Sequence, residues 1–185
     1  MTKLWLVRHA RPLVAQGICY GALNVPADAA ATHAAAQRLA SVLPPGLQVA
    51  HSTLQRCELL ALSLQALRPD LALNPDIRLR EMDFGTWEGQ PWSAIGQSAV
   101  DAWTANFATH PPGGGECLGT MLGRVASALR DARREPVADV VWITHAGVAR
   151  CVDWLQAQGG ALPRADRWPL AAPDYGAWEV RSLGA

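Results

Sequence analysis

Lys3-Leu4-Trp5-Leu6-Val7-Arg8-His9 near the start of the chain and Val140-Val141-Trp142-Ile143-Thr144-His145 near its other end are built alike: each is a short apolar run that stops at a histidine. Apolar runs of this length without polar alternation suit strands covered on both faces. Working outward, Asp28 to Leu43 is rich in Ala, starts at a residue able to cap a helix and stops at Pro44-Pro45-Gly46, which predicts a helix with both ends marked. Leu47 to Ala50 reads as a further strand, and Leu54 to Leu67 as a helix ended by Pro69. The alternation predicts an α/β three-layer sandwich: a mostly parallel, doubly wound sheet with helices on both faces.

Region 76–115 is less regular. Gly85, Gly89, Pro91 and Gly96 cut it into short pieces, Ser98 to Ala108 reads as a modest helix, and Pro111 to Gly115 reads as loop. It is expected to be a lid or insertion on a single domain spanning 1–185. Beyond it, helices are expected from Glu116 to Arg134 and Val148 to Gln158, and an edge strand from Ala177 to Ser182.

Composition narrows the function classes. Among 185 residues, 50% are hydrophobic and 16 Lys+Arg balance 16 Asp+Glu, which is neither the footprint of a nucleic-acid binder nor a disordered composition. No apolar run approaches the roughly 20 residues of a membrane span, and Met1 to Val7 runs straight into charge. The expectation is a cytoplasmic protein with no membrane or nucleic-acid partner. Cys19, Cys57, Cys117 and Cys151 form no C-x-x-C pair, so reduced thiols are expected, with neither a disulfide framework nor a metal site. No cofactor motif is present: Gly113-Gly114-Gly115 lacks the Lys-Ser/Thr of a nucleotide-binding phosphate loop. The sequence does not fix an oligomeric state.

In open parallel sheets ligands bind beyond the carboxyl ends of the strands. If the two His-terminated strands are neighbours, His9 and His145 share one rim. A neutral imidazole is a competent nucleophile near pH 7, and a second imidazole can stabilise a developing anion. Arg8 and Arg56 offer forked, permanently charged donors suited to phosphoryl oxygens. His33, His51 and His110 read as ordinary surface or core residues. Glu81 is a candidate acid, equally readable from the sequence as an ion-pair partner of Arg78 or Arg80, with Asp83 and Glu88 as competitors. Trp87, Trp92 and Trp103 are candidate cleft walls, although most tryptophans simply pack.

Leu6-Val7-Arg8-His9-Ala10 resembles the Arg-His-Gly signature of the histidine phosphatase superfamily, the phosphoglycerate-mutase-like enzymes. Ser52-Thr53-Leu54-Gln55-Arg56 is similar to its Ser-x-Leu-x-Arg segment, Glu81 to Gly89 to its acid-bearing segment, and Thr144-His145-Ala146-Gly147 to its second-histidine motif. All four occur in the family's order. The resemblance implies that His9 attacks phosphorus and becomes phosphohistidine, that Arg8, Arg56 and His145 bind phosphoryl oxygens, and that Glu81 protonates the leaving oxygen and later activates water. A small-molecule phosphate ester is the implied partner, hydrolysed without metal or cofactor. Asn24 and Gly21 in the entrance segment, Ala146 beside the second histidine and Glu116 of the family's Gly-Glu-Ser segment are the implied substrate contacts, with Asn24 also readable as a loop residue supporting a turn and Glu116 as a residue that orients the pocket or favours a helix N-terminus.

Ala10, Pro12 and Ala15 depart from the family pattern of Gly, Thr and Asn, so the pocket's surroundings differ while the quartet stays. Gly21-x-x-Asn24-x-Pro26 is similar to the Gly-x-x-Asp-x-Pro of the alpha-ribazole phosphatase branch, with Asn for Asp. A mutase-type phosphotransferase and a silent phosphate-ligand binding protein are the competing classes.

Overall fold

The computed structural model describes residues 2–184. Five strands, β1 (Thr2–Arg8), β2 (Gln48–His51), β3 (Ala72–Pro75), β4 (Asp139–Thr144) and β5 (Trp178–Leu183), form one open sheet in the order β3-β2-β4-β1-β5. All neighbours are parallel except β5, which runs antiparallel to β1 at the edge. The two apolar runs lie side by side, with Leu4 opposite Val140 and Arg8 opposite Thr144.

Side chains alternate across a strand, so each apolar run supplies both layers of core. Leu4, Leu6, Val140 and Trp142 pack under α4 (Leu118–Arg134) and α5 (Ala146–Gln158). Val7, Val141 and Ile143 point the other way, into the core beneath α1 (Ala29–Ala40) and α2 (Gln55–Leu67). Burial on both faces is why neither run carries a polar alternation, and the predicted three layers follow.

Several boundaries differ from the expectation. α1 ends at Ala40 rather than Leu43, and its first-turn amide at Ala31 donates to the Asp28 carboxylate, as a cap requires. α3 spans Gln97–Ala105, three residues short of the predicted end. α4 starts at Leu118, leaving Glu116 in the preceding loop, whereas α5 starts at Ala146, directly after His145. β3 was not expected, because Leu73-Asn74-Pro75 reads as a break. Proline is tolerated there because β3 is an edge strand with a partner on one side only.

Region 76–115 consists of single 3-10 turns and α3, and contributes Trp87 and Ile95 to a small core with Cys19. The glycines of its last loop serve a close backbone approach. Gly85 and Gly113 both have positive φ, and a Cβ on Gly113 would stand 2.2 Å from the Phe84 carbonyl. No helix among the described residues is long and apolar enough to cross a membrane.

Candidate active site

Because β1 and β4 are parallel neighbours in register, the residues that follow them emerge together. The His9 amide donates to the Thr144 carbonyl (3.2 Å), and the His9 and His145 rings meet edge to face with centroids 5.1 Å apart. His9 Nδ1 lies 2.7 Å from the Ala10 carbonyl oxygen. A carbonyl only accepts, so Nδ1 carries the hydrogen and Nε2 holds the lone pair. Arg56 Nε donates to that Nε2 at 3.2 Å. Burial, then the positive charges of Arg56 and Arg8, push the His9 pKa down to about 3. The ring is therefore neutral at pH 7, in the protonation state of a nucleophile.

Arg56 is fully buried near the start of α2. Its Nη1 donates to the Leu23 carbonyl (2.9 Å) and its Nη2 to the Gly21 carbonyl (2.6 Å). Arg8 donates from Nη1 to the Pro173 carbonyl (3.1 Å), lies 3.8 Å from the centroid of the Tyr175 ring, and keeps a buried Nε with no partner among the described residues. Neither guanidinium pairs with a carboxylate among the described residues. Two uncompensated cations flanking a neutral imidazole create a strong field for an anion. Across the same mouth, the hydroxyls of Tyr20 and Tyr175 hydrogen-bond at 2.7 Å.

Glu81 faces this group from the opposite side. Its Oε2 accepts from the Gly147 amide (3.0 Å) at the N-terminus of α5, and its Oε1 from the Met82 amide (3.1 Å). Its competitors are occupied elsewhere. Glu88 accepts from the amides of Ala22 (2.8 Å), Leu23 and Phe84 (2.9 Å), tying the entrance segment to the acid-bearing one, while Asp83 accepts from the Gly85 amide. Arg78 pairs with Asp76 and Asp131 rather than with Glu81. Glu116 pairs with Arg124 (2.7 Å), and Arg124 in turn donates to the carbonyls of Arg78, Arg80 and Glu81. That ion pair props the backbone that carries Glu81.

The remaining sequence candidates divide. Ala146 lines the cavity and Glu116 does not. Gly21 gives its carbonyl to Arg56, and a Cβ there would stand 1.9 Å from the Met82 carbonyl, so glycine is demanded by backbone packing. Asn24 Oδ1 accepts from the Gln55 amide (2.8 Å), capping the start of α2. His145 is buried behind His9, its Nε2 2.8 Å from Ser52 Oγ and 3.4 Å from Cys57 Sγ. Burial and the neighbouring Arg56 and His9 hold its pKa well below the usual value.

The cavity measures about 310 Å³. Arg8, His9, Arg56 and Glu81 line it together with a connected run of rings, Phe84, Trp92, Trp103, Phe107 and Trp168, while Met121, close to Gly147 beside Glu81, and Arg150 also line it. Trp87 lies behind the wall in the small core. Tyr20, Phe84, Phe107, Arg150 and Trp168 were not foreseen as site residues: Phe84 lies inside the Glu81–Gly89 segment and Tyr20 beside Gly21, but neither was assigned a role there, and Phe107, Arg150 and Trp168 have no motif around them. A larger groove of about 580 Å³ runs along Gln48, Asp76, Asp131 and Asp139 but contains no histidine. Among the described residues no group of three or more His, Cys, Asp or Glu side chains is placed to hold a metal ion.

The family model described as the histidine phosphatase superfamily (branch 1) matches residues 4–179. The chain belongs to that superfamily. A mycobacterial glucosyl-3-phosphoglycerate phosphatase solved in complex with VO3 is 25% identical, covering 98% of this chain and 93% of that one with a TM-score of 0.80. The native structure of the mycobacterial enzyme is 26% identical over 97% of this chain and 89% of that one, with a TM-score of 0.76. TTHB049 from Thermus thermophilus is 30% identical, covering 89% of this chain and 90% of that one with a TM-score of 0.67. No curated protein matches. The chain is thus a histidine phosphatase, an enzyme, with that family's α/β fold.

Proposed function

We propose that this protein is a metal-independent phosphomonoesterase that works through a phosphohistidine on a small phosphorylated metabolite. In this reading the Nε2 lone pair of His9 attacks phosphorus while the bond to the ester oxygen breaks, and Glu81 gives that oxygen its proton. The Glu81 carboxylate then takes a proton from water as it attacks phosphorus, and the P–N bond breaks to release inorganic phosphate. Arg8 and Arg56 serve the phosphoryl oxygens directly, and His145 joins them by turning its Nε2 from Ser52 Oγ toward the ester, with positioning and charge stabilisation supplying most of the catalysis. The Arg56 Nε hydrogen bond passes from His9 to a phosphoryl oxygen as the ester enters. Region 76–115 acts as the cap that walls the entrance.

The observation that carries this reading is the tautomer of His9: its Nδ1–H is held by the Ala10 carbonyl, so Nε2 keeps the lone pair, which accepts from Arg56 Nε in a cavity lined by Glu81 and by two guanidinium groups that pair with no carboxylate among the described residues. Support for a cytoplasmic setting comes from four cysteines that are all free thiols. The test is phosphate release from alpha-ribazole phosphate, 3-phosphoglycerate and common sugar phosphates in EDTA, with product analysis to separate hydrolysis from transfer to a second hydroxyl. Turnover in EDTA, with acid-labile phosphate trapped on the protein and both lost in a folded His9→Ala variant, is the expected result. Unchanged turnover in that variant refutes the nucleophile, and abolition by EDTA refutes metal independence.

A further inference from the structure

The cavity is chemically two-sided. Of its charged side chains, Arg8, Arg56 and Glu81 stand around His9, and Arg150 directs Nε and Nη2 at the Leu170 carbonyl (3.2 and 2.9 Å). The far wall is a run of rings in contact. Phe84 meets Trp92 and Trp103 edge to face, with centroids 5.6 and 5.9 Å apart, and Trp92 and Trp103 lie within 15° of parallel. Trp103 continues to Phe107 (5.4 Å), and Phe107 to Trp168 (6.1 Å). Trp92 remains 39% exposed, although tryptophan is normally well covered. A concave, solvent-reached aromatic wall beside a polar reaction centre is the form of a ligand site rather than of a core.

We propose that Phe84, Trp92, Trp103, Phe107 and Trp168 form a leaving-group subsite for phosphate monoesters whose alcohol carries an uncharged one- or two-ring aromatic group. The inference rests on the phosphatase reading for its phosphoryl end and adds what the other end selects. The wall offers few donors, including the Arg150 guanidinium and Trp103 Nε1, which has no partner among the described residues, so a polyol laid on its rings would lose more hydrogen bonds to water than it regains, which costs free energy. A flat π-system instead finds faces and edges to stack on, worth about 1–3 kcal/mol per ring in comparable aromatic sites. A cavity of about 310 Å³ lies at the low end of the ~300–1,000 Å³ typical of small-molecule sites, which fits a phosphoryl group and one or two rings.

Naphthylethyl, butyl and glycerol phosphates are esters of primary alcohols with similar intrinsic reactivity, so their kcat/KM ratios report the wall. The expected advantage of the naphthylethyl ester over the other two is about tenfold or more, the factor that ~1.4 kcal/mol of stacking gives. Trp92→Ala, and independently Trp168→Leu, reduce that ratio at least threefold whatever happens to the absolute rates. Glycerol phosphate equal to or better than the naphthylethyl ester, or a ratio unmoved in both folded variants, overturns the proposal. Calorimetric binding of the non-hydrolysable naphthylethyl and butyl phosphonates reads the same preference without turnover. If no ester is hydrolysed but the aromatic phosphonate still binds tenfold more tightly, the phosphatase reading falls and the subsite stands. Equal phosphonate affinities remove the subsite even if phosphatase activity is found.

Discussion

Taking the protein from pH 7 to pH 5 is expected to cost it about 2 kcal/mol through His9 alone. The ordinary histidine pKa is 6.5, and in the fold burial and the charges of Arg56 and Arg8 bring His9 to about 3. Between those values the unfolded chain takes up a proton that the folded one refuses. The contribution is complete above 6.5 and is lost as pH falls toward 3. At pH 5 the unfolded side chain is about 1.5 units below its pKa, and at about 1.4 kcal/mol per unit that is the quoted loss. His145 is lowered in the same direction and adds a loss of the same sign. The assay is urea unfolding of wild type and His9→Gln at both pH values in phosphate-free buffer, compared as a difference of differences. Groups common to both chains cancel, and wild type should lose about 2 kcal/mol more than the variant. Equal losses would mean that His9 takes up its proton in the folded state near the ordinary pH, and the suppression of its charge by burial, Arg56 and Arg8 would be wrong.

Other perturbations test other parts of the site. Gly147→Ala would place a Cβ 2.0 Å from Glu81 Oε1, so it is expected to displace the acid and lower kcat by about 10²-fold or more, with inorganic phosphate still bound; unchanged kcat would acquit Glu81. Glu88→Gln keeps a carbonyl oxygen for the amides of Ala22 and Phe84 but turns its NH2 toward the Leu23 amide, and should cost about 1–3 kcal/mol in urea unfolding and raise KM. Arg56→Lys keeps the charge but loses the fork that reaches the carbonyls of Leu23 and Gly21. It should weaken inhibition by inorganic phosphate about tenfold or more, as loss of one charged hydrogen bond of roughly 1.5–3 kcal/mol requires.

Much of the site was legible because the surroundings of His9 are written in short segments attached to strand and helix ends. Val7-Arg8-His9 and Thr144-His145 mark their own strand ends, and Ser52 to Arg56 opens a helix. Glu81 was ambiguous for a physical reason. Glu81, Asp83 and Glu88 lie within one irregular segment where no periodicity assigns a face, and only the packing of Gly147, of Gly85 and of Ala22 decides which carboxylate turns where. The Gly-Glu-Ser resemblance points Glu116 at substrate, but it pairs instead with Arg124 of α4. β3 escaped notice because Pro75 is a strand breaker everywhere except at an edge.

What the chain determines by itself is local: two runs apolar enough to be covered on both faces, each ending in a histidine, separated by helices whose caps and stops are adjacent in sequence. What only the tertiary structure decides is which distant groups touch. The strand order places β1 against β4, and that places His9 beside His145 and Gly147 against Glu81. The arc from Phe84 to Trp168 and the Tyr20–Tyr175 hydrogen bond arise the same way. Hydrophobic periodicity encodes the face a residue presents; the partner it meets there is set by register and packing, for which neighbouring residues carry no signal.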